Sequence, residues 1–407
     1  MSNLYKSPFN LAVLAAGLGF FVDAFDLFLF NIYRIPSLKD LGLSGAELTH
    51  IGENLLAIQM LGMMVGGVLS GIIADYHGRV YVLFGSILLY SLANIANSFV
   101  TDVDTYAIIR FLAGVGLAGE LGTGITLVSE SMTKEKRGYG TILVATLGAL
   151  GAVCAGLSGD FLPWRDAFLY AGIAGLVLVL FRFNTMEPSI FRNAKENNSK
   201  ITVSFKLFFT NKKRFLTYLA CILMGVPIWY SVGLLITFTP EIMQENGLTG
   251  TKLSLCFILF QCGVTIGDLS SGLLSQYFKS RKKILFAYMA FACLASLRHF
   301  ILIYTGQSLN FSSFLIGLGC GYLSVFVTST AEHFGTNLRA TATSTVTNFM
   351  RGAITILIPM TLFFQSKFQI TLTASLIPVG ILVWLAALLA VYLLPETYGK
   401  ELNYVEE

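Results

Sequence analysis

VGGVLSGIIADY, residues 65–76, returns about 200 residues later as IGDLSSGLLSQY, residues 266–277. Two further stretches keep nearly the same offset. FLAGVGLAG (111–119) returns as FLIGLGCGY (314–322), and Glu130 and Arg137 return as Glu332 and Arg339. Three agreeing matches point to duplication of one unit, with the chain built as two related halves.

The unit is a membrane unit. The chain has 407 residues, of which 55% are hydrophobic and only 12% charged. A soluble protein carries about 25% charged residues. A helix crosses a bilayer with about 20 mostly apolar residues, and on that rule the sequence holds about twelve spans. The longest polar stretch, residues 187–214, contains NAKENNSK and NKKR and divides six spans from six. The expected organisation is a bundle over 1–186, a cytoplasmic linker over 187–214 and a second bundle over 215–407. Lysine and arginine set the orientation. With the N-terminus in the cytoplasm, Arg79, the 134–137 cluster, the linker, KSRKK (279–283) and Arg339 fall inside. Only Arg34, Lys39, Arg165, Lys252 and Lys367 stay outside. Both termini are then cytoplasmic, and the chain is a multi-pass protein of the cell (inner or plasma) membrane.

GVGLAG (114–119) fits the GxGxxG dinucleotide pattern, but it lies within a span and not after a strand. Close packing of small residues between membrane helices is the better reading. The six cysteines lie in apolar stretches with no CxxC pair, so neither a disulfide framework nor a metal site is expected. No phosphate-binding GxxxxGK[ST] loop and no nucleophile–base constellation is present. Neither enzyme chemistry, a cofactor nor nucleic-acid binding is expected.

GIIADYHGR (71–79) resembles the GxxxDxxGR loop of the major facilitator superfamily. SESMTKEKRG (129–138), AEHFGTNLRA (331–340), TMEPSIF (185–191) and LLPETYGKEL (394–402) resemble the inner-face motifs of sugar porters and of the related organic-ion and phosphate symporters. The resemblance covers essentially the whole chain. It implies an all-α fold of two pseudo-symmetric six-helix bundles with a cavity between them. It also implies a cytoplasmic gate network of Asp75, Arg79, Glu130 and Arg137 in one half and Glu332 and Arg339 in the other.

Charges inside the spans mark function, because an ionised Asp or Arg at mid-membrane costs about 2.5–3.5 kcal/mol on insertion scales. GFFVDAFDLFLFNIYR (19–34) places Asp23 and Asp26 three residues apart, on one helical face. Glu120 is ten residues past Arg110, about 15 Å deeper along a helix. DAFDLF resembles the first helix of phosphate:proton symporters and, loosely, of metabolite:proton symporters. RFLAGVGLAGELGTG resembles their fourth helix. The resemblance implies that all three carboxylates surround one site. Clustered, desolvated carboxylates cannot all stay ionised cheaply, so Asp23, Asp26 and Glu120 are the expected proton-coupling residues. Arg351, in TVTNFMRGAITILIP, resembles the cavity arginine of organic-anion transporters and is the expected anion ligand. Pairing of Arg351 with Asp268 is the structural alternative for it, and Arg298 is an equal partner for that aspartate. Trp229, Tyr230, Gln261 and Asn348 are further candidates for the solute.

The expected function is proton-coupled symport of a small anionic or zwitterionic metabolite by alternating access, by a monomer whose partners are solute, protons and lipid. A facilitator or a proton antiporter of organic ions, and a non-transporting solute receptor on the same fold, are the rival readings.

Overall fold

The computed structural model describes residues 11–132, 137–182, 207–248, 252–335 and 337–400, and these form helices joined by short turns, with no strand among them. In the first half the helices are α1 (Leu11–Asp40), α2 (Gly45–His77), α3 (Arg79–Asn97), α4 (Val103–Leu117), α5 (Glu120–Ser131), α6 (Arg137–Ser158) and α7 (Trp164–Arg182). In the second half they are α8 (Leu207–Thr210), α9 (Lys212–Tyr230), α10 (Thr239–Asn246), α11 (Leu253–Tyr277), α12 (Arg281–Tyr304), α13 (Asn310–Cys320), α14 (Leu323–His333), α15 (Arg339–Gly352), α16 (Ile354–Phe368) and α17 (Leu372–Leu393). Eleven helical stretches among the described residues are long and apolar enough to cross a membrane. The 19-residue α7 stands where the sixth of twelve spans is expected. Most of the expected linker lies outside the described residues; its last part is already helical, in α8 and the start of α9.

The chain folds this way because apolar runs satisfy their backbone internally as helices, the only open-ended solution in lipid. Polar residues mark where the runs stop. Asp102 accepts the Thr105 N–H at the start of α4, Asn211 that of Lys213 at α9, and Ser280 that of Lys283 at α12. The outward faces are greasy. Leu382, Leu385, Leu389 and Leu393 form an exposed stripe along α17, as a lipid-facing helix requires.

The two bundles meet along two helix pairs, α2 with α15 and α6 with α11. Small residues make the contact close. A Cβ on Gly122 would collide with the Ser344 backbone, and one on Gly67 would lie 2.7 Å from the Asn348 Cβ. GVGLAG serves packing as expected: Gly114 abuts the Gln59 carbonyl and Gly119 the Ser86 hydroxyl. Gly78 separates α2 from α3 at φ 109°, a conformation that glycine alone adopts without strain. In the second copy Lys279 stands where Gly78 does and also takes positive φ, at 49°.

Three spans are broken near mid-length. α4 gives way to α5 at Ala118–Gly119, α13 to α14 at Gly321–Tyr322, and α15 to α16 at Ala353. A fourth, α9, runs into a π-helical segment, Ser231–Ile236, before α10. Each break frees backbone groups that lipid cannot satisfy, and side chains meet several of them. Asn348 Nδ2 donates to the Ala118 carbonyl across the bundle interface at 2.8 Å, and Asp268 Oδ1 accepts the Ser324 N–H at 3.0 Å.

Candidate functional site

Three of the four breaks, those after α9, α13 and α15, border a cavity of about 60 Å³ between the bundles. Its walls are mostly apolar: Phe20, Ala24 and Phe28 of α1, Ala149 of α6, and Trp229 of α9. The polar groups on its wall are Gln261 and Asp268 of α11 and Arg351 of α15. Arg351 is 3% exposed and Asp23, beside it on α1, is 0% exposed. Arg351 Nη2 lies 3.7 Å from Asp23 Oδ2, an ion pair joining the two bundles, and the guanidinium stands 5.8 Å from the Trp229 ring centroid.

The broken spans hold these charges in place. A helix carries a partial positive charge at its N-terminus and a partial negative charge at its C-terminus. Glu120 is the first residue of α5, Asp268 caps the start of α14, and Arg351 is in the last turn of α15. Each charge meets the helix end of opposite sign. No hydropathy pattern announces this; the signal in the sequence is a glycine at or next to each break, Gly119, Gly321 and Gly352.

The expected site residues separate into groups. Asp23, Arg351, Trp229 and Gln261 come together at or beside the cavity. Asp26 turns into the first bundle, within electrostatic reach of Arg110. Arg110 donates to Asn94 at 3.0 Å and lies over the Phe168 ring. Glu120 is buried at 2% exposure. Asn348 spends its amide on the Ala118 and Ser344 carbonyls, and Tyr230 donates to the Leu376 carbonyl on α17. Arg298 is exposed and lies over the Phe311 ring, and Asp268 bonds to the start of α14 instead.

Both ends of the cavity are closed by contacts between bundles. At the end that carries Gly78, Ser70 and Ser344 are 3.0 Å apart beside the Asn348 bridge. At the far end Phe28 stacks on Trp229, and Arg34 of α1 pairs with Glu241 of α10 at 2.7 Å, with the Arg34 side chain 1% exposed. Glu53 of α2 also lies within electrostatic reach of Arg34. Removing one member of a buried pair leaves the other uncompensated, at about 3–5 kcal/mol. Glu241→Gln should therefore loosen the far end. In a cysteine-free background, a cysteine at Phe28 should then react at least tenfold faster with a thiol reagent added from that side. An unchanged labelling rate removes this pair from the closure.

Of the expected gate residues, the side chains of Asp75, Arg79, Glu130 and Arg137 lie outside the described part. Glu332 pairs with Arg281 at 3.4 Å, and Arg339 donates to the Ala331 and Phe334 carbonyls. Glu396 accepts from Ser280, Arg281 N–H at 2.9 Å and Thr397 N–H at 2.9 Å. Burial pushes the Glu396 carboxyl up, but these hydrogen bonds outweigh it and hold it below the usual carboxylate range. Its contribution is present above the unfolded carboxylate pKa and is lost as pH falls through the lowered value. Neither Arg281 nor Glu396 was expected from the sequence to join this group. The signal existed, since Arg281 stands in the second copy where Arg79 stands in the first.

A charge-bearing cavity midway through a double bundle of membrane-length helices defines a solute carrier. Residues 16–359 match the Major Facilitator Superfamily, and the chain belongs to that family. A putative metabolite transport protein of Haemophilus influenzae is 27% identical, spanning 99% of this chain and 100% of that protein. The 3-(3-hydroxy-phenyl)propionate transporter of Escherichia coli is 27% identical over 70% of each chain. The solved structure of the proton:xylose symporter XylE, bound to 6-bromo-6-deoxy-D-glucose, covers 96% of this chain and 97% of that one. Its TM-score is 0.74 at 15% identity, a likeness of fold. The protein is a membrane transporter and not an enzyme.

Proposed function

We propose that the protein couples uptake of a small organic anion, a carboxylate, to proton entry by alternating access. The observation that carries this reading is the buried Arg351–Asp23 pair at the cavity. A guanidinium binds a carboxylate by two parallel hydrogen bonds, and Asp23 already stands where a solute carboxylate would go. Solute and Asp23 therefore compete for one cation. A proton on Asp23 weakens its hold and releases Arg351 to the solute; when solute leaves, Asp23 gives up the proton and pairs again. Proton and anion travel together because one cation cannot stay buried without a counter-charge. The relative that transports 3-(3-hydroxy-phenyl)propionate supports a carboxylate as cargo.

In this reading the moving units are the bundles of residues 1–186 and 215–407, joined by the linker of 187–214. Both termini are cytoplasmic, in the cell membrane of a monomer. Trp229 and Gln261 line the solute site. Asp26 and Glu120 extend the acidic path behind Asp23. Asn348 and Tyr230, whose polar groups are bonded to the protein, hold the site's walls in place. Arg281–Glu332 closes the second half of the cytoplasmic gate, and by the duplication Arg79–Glu130 is its counterpart, with Asp75, Arg137 and Arg339 around them.

The test is uptake of labelled carboxylates, 3-(3-hydroxyphenyl)propionate, benzoate and nicotinate among them, into proteoliposomes. Acid outside should drive accumulation above equilibrium, and a protonophore should collapse it. Flux without accumulation makes the protein a facilitator. Accumulation driven by acid inside makes it an antiporter, and binding without flux makes it a receptor.

A further inference from the structure

Two polar groups on the cavity wall are not used by the Arg351–Asp23 pair. Asp268 is 0% exposed, and only one of its carboxylate oxygens is engaged: Oδ1 accepts the Ser324 N–H at the start of α14. Oδ2 is buried and meets no hydrogen-bond donor among the described residues. Gln261 is 3% exposed, and its Nε2 likewise meets no acceptor among them. The two residues are seven apart on α11, so they share a face about 10 Å apart, and both line the same cavity as Arg351.

Such an arrangement is expensive unless something completes it. A buried polar atom without a partner forfeits its hydration and gains nothing in return. Packing does not explain Asp268, since the duplication puts Gly67 at the same place in the first half. Fastening the start of α14 does not explain it fully either, because that uses Oδ1 alone. What is left over is one acceptor on Asp268 and one donor on Gln261, on the wall of a largely apolar cavity.

We infer that Asp268 and Gln261 form a second polar subsite of the solute cavity, one that takes a hydroxyl or amino group. Asp268 Oδ2 accepts the hydrogen of that group and Gln261 Nε2 donates to an oxygen near it. The protein therefore selects carboxylates that carry a hydrogen-bond donor at the end away from Arg351, and discriminates against the same acids without it. This rests on the reading that Arg351 holds the carboxylate. Discrimination should be strong, because a site built to bond a polar group leaves its own atoms unpaired when that group is missing.

The test measures dissociation constants by titration of the purified full-length protein with matched pairs. These are benzoate with 3- and 4-hydroxybenzoate, 3-phenylpropionate with 3-(3-hydroxyphenyl)propionate, and nicotinate with 6-hydroxynicotinate. In at least one pair the hydroxylated acid should bind about tenfold tighter or more, the usual worth of a hydrogen bond to a charged group. Asp268→Asn keeps an oxygen for the Ser324 N–H and replaces the acceptor in the cavity with a donor. Its ratio for that pair should fall at least fivefold. Gln261→Leu, which leaves the α14 start untouched, should lower the ratio by a smaller factor. A ratio unchanged in both variants, or equal loss of both acids, overturns the subsite. Arg351→Ala separates the two claims. If it binds every acid as wild type does, the anion site is wrong, whereas an unchanged ratio in Asp268→Asn condemns the subsite alone. No binding of any acid by wild type overturns both.

Discussion

Arg351→Ala is expected to abolish solute binding and uptake. The guanidinium is 3% exposed, stands at the cavity wall, and has Asp23 as its one salt-bridge partner among the described residues. Losing a buried, hydrogen-bonded charge partner costs about 2–5 kcal/mol, which is a loss of affinity of about 30-fold to several thousandfold. Arg351→Lys keeps the charge but replaces a planar fork with a point donor, so it should bind more weakly than wild type. Truncation also strands Asp23, so a loss of activity must be separated from a loss of fold. The double variant Asp23→Asn with Arg351→Ala removes both charges. It should recover most of the thermal stability lost in Arg351→Ala and recover none of the binding. Binding that returns in the double variant would mean the arginine only balances the aspartate. Wild-type affinity in Arg351→Ala, or selective uptake of a permanent cation, would end the anion reading outright.

The double bundle was legible because its signals are periodic and redundant. Apolar runs of helix length recur about twelve times, and the offset of about 200 residues appears in three separate stretches. The cavity charges were legible for a related reason: lipid makes a charge so costly that Asp23 and Arg351 stand out from any apolar run. Which charge meets which was not legible. Asp26 and Asp23 are three residues apart on one helix, yet one faces the Arg110 cluster inside its bundle and the other faces Arg351 across the interface. That split depends on the rotation of α1 against α6 and α15, which no local pattern encodes. The helix breaks were likewise hidden, because Ala118, Gly119 and Ala353 continue the apolar run and the polar groups that stabilise the breaks come from other spans. Asn348 reads as a solute ligand in sequence because nothing there shows that its partner is the Ala118 carbonyl, 230 residues away.

Asp23→Asn is expected to uncouple the transporter without silencing it. Asparagine has the shape of the protonated acid and no charge, so Arg351 is permanently released. In wild type, anion affinity should rise as pH falls while the solute stays ionised, because each proton on Asp23 removes a competitor for the guanidinium. In Asp23→Asn that dependence should vanish, with affinity fixed near the wild-type value at low pH. Exchange of labelled for unlabelled solute should persist, since it needs only binding and rocking. Accumulation driven by a pH gradient should be lost, since no proton is bound and released in the cycle. The empty variant also buries an arginine with its counter-ion gone, at about 3–5 kcal/mol. It should therefore melt below wild type and gain more stability from bound anion, as expected when a ligand binds only the folded state. Asp26→Asn is the contrast: its carboxylate answers to Arg110 within the first bundle, so stability should fall while the pH dependence of anion binding remains. Full gradient-driven accumulation by Asp23→Asn would refute the coupling. Loss of exchange together with accumulation would make Asp23 part of the scaffold and leave the proton to be carried elsewhere.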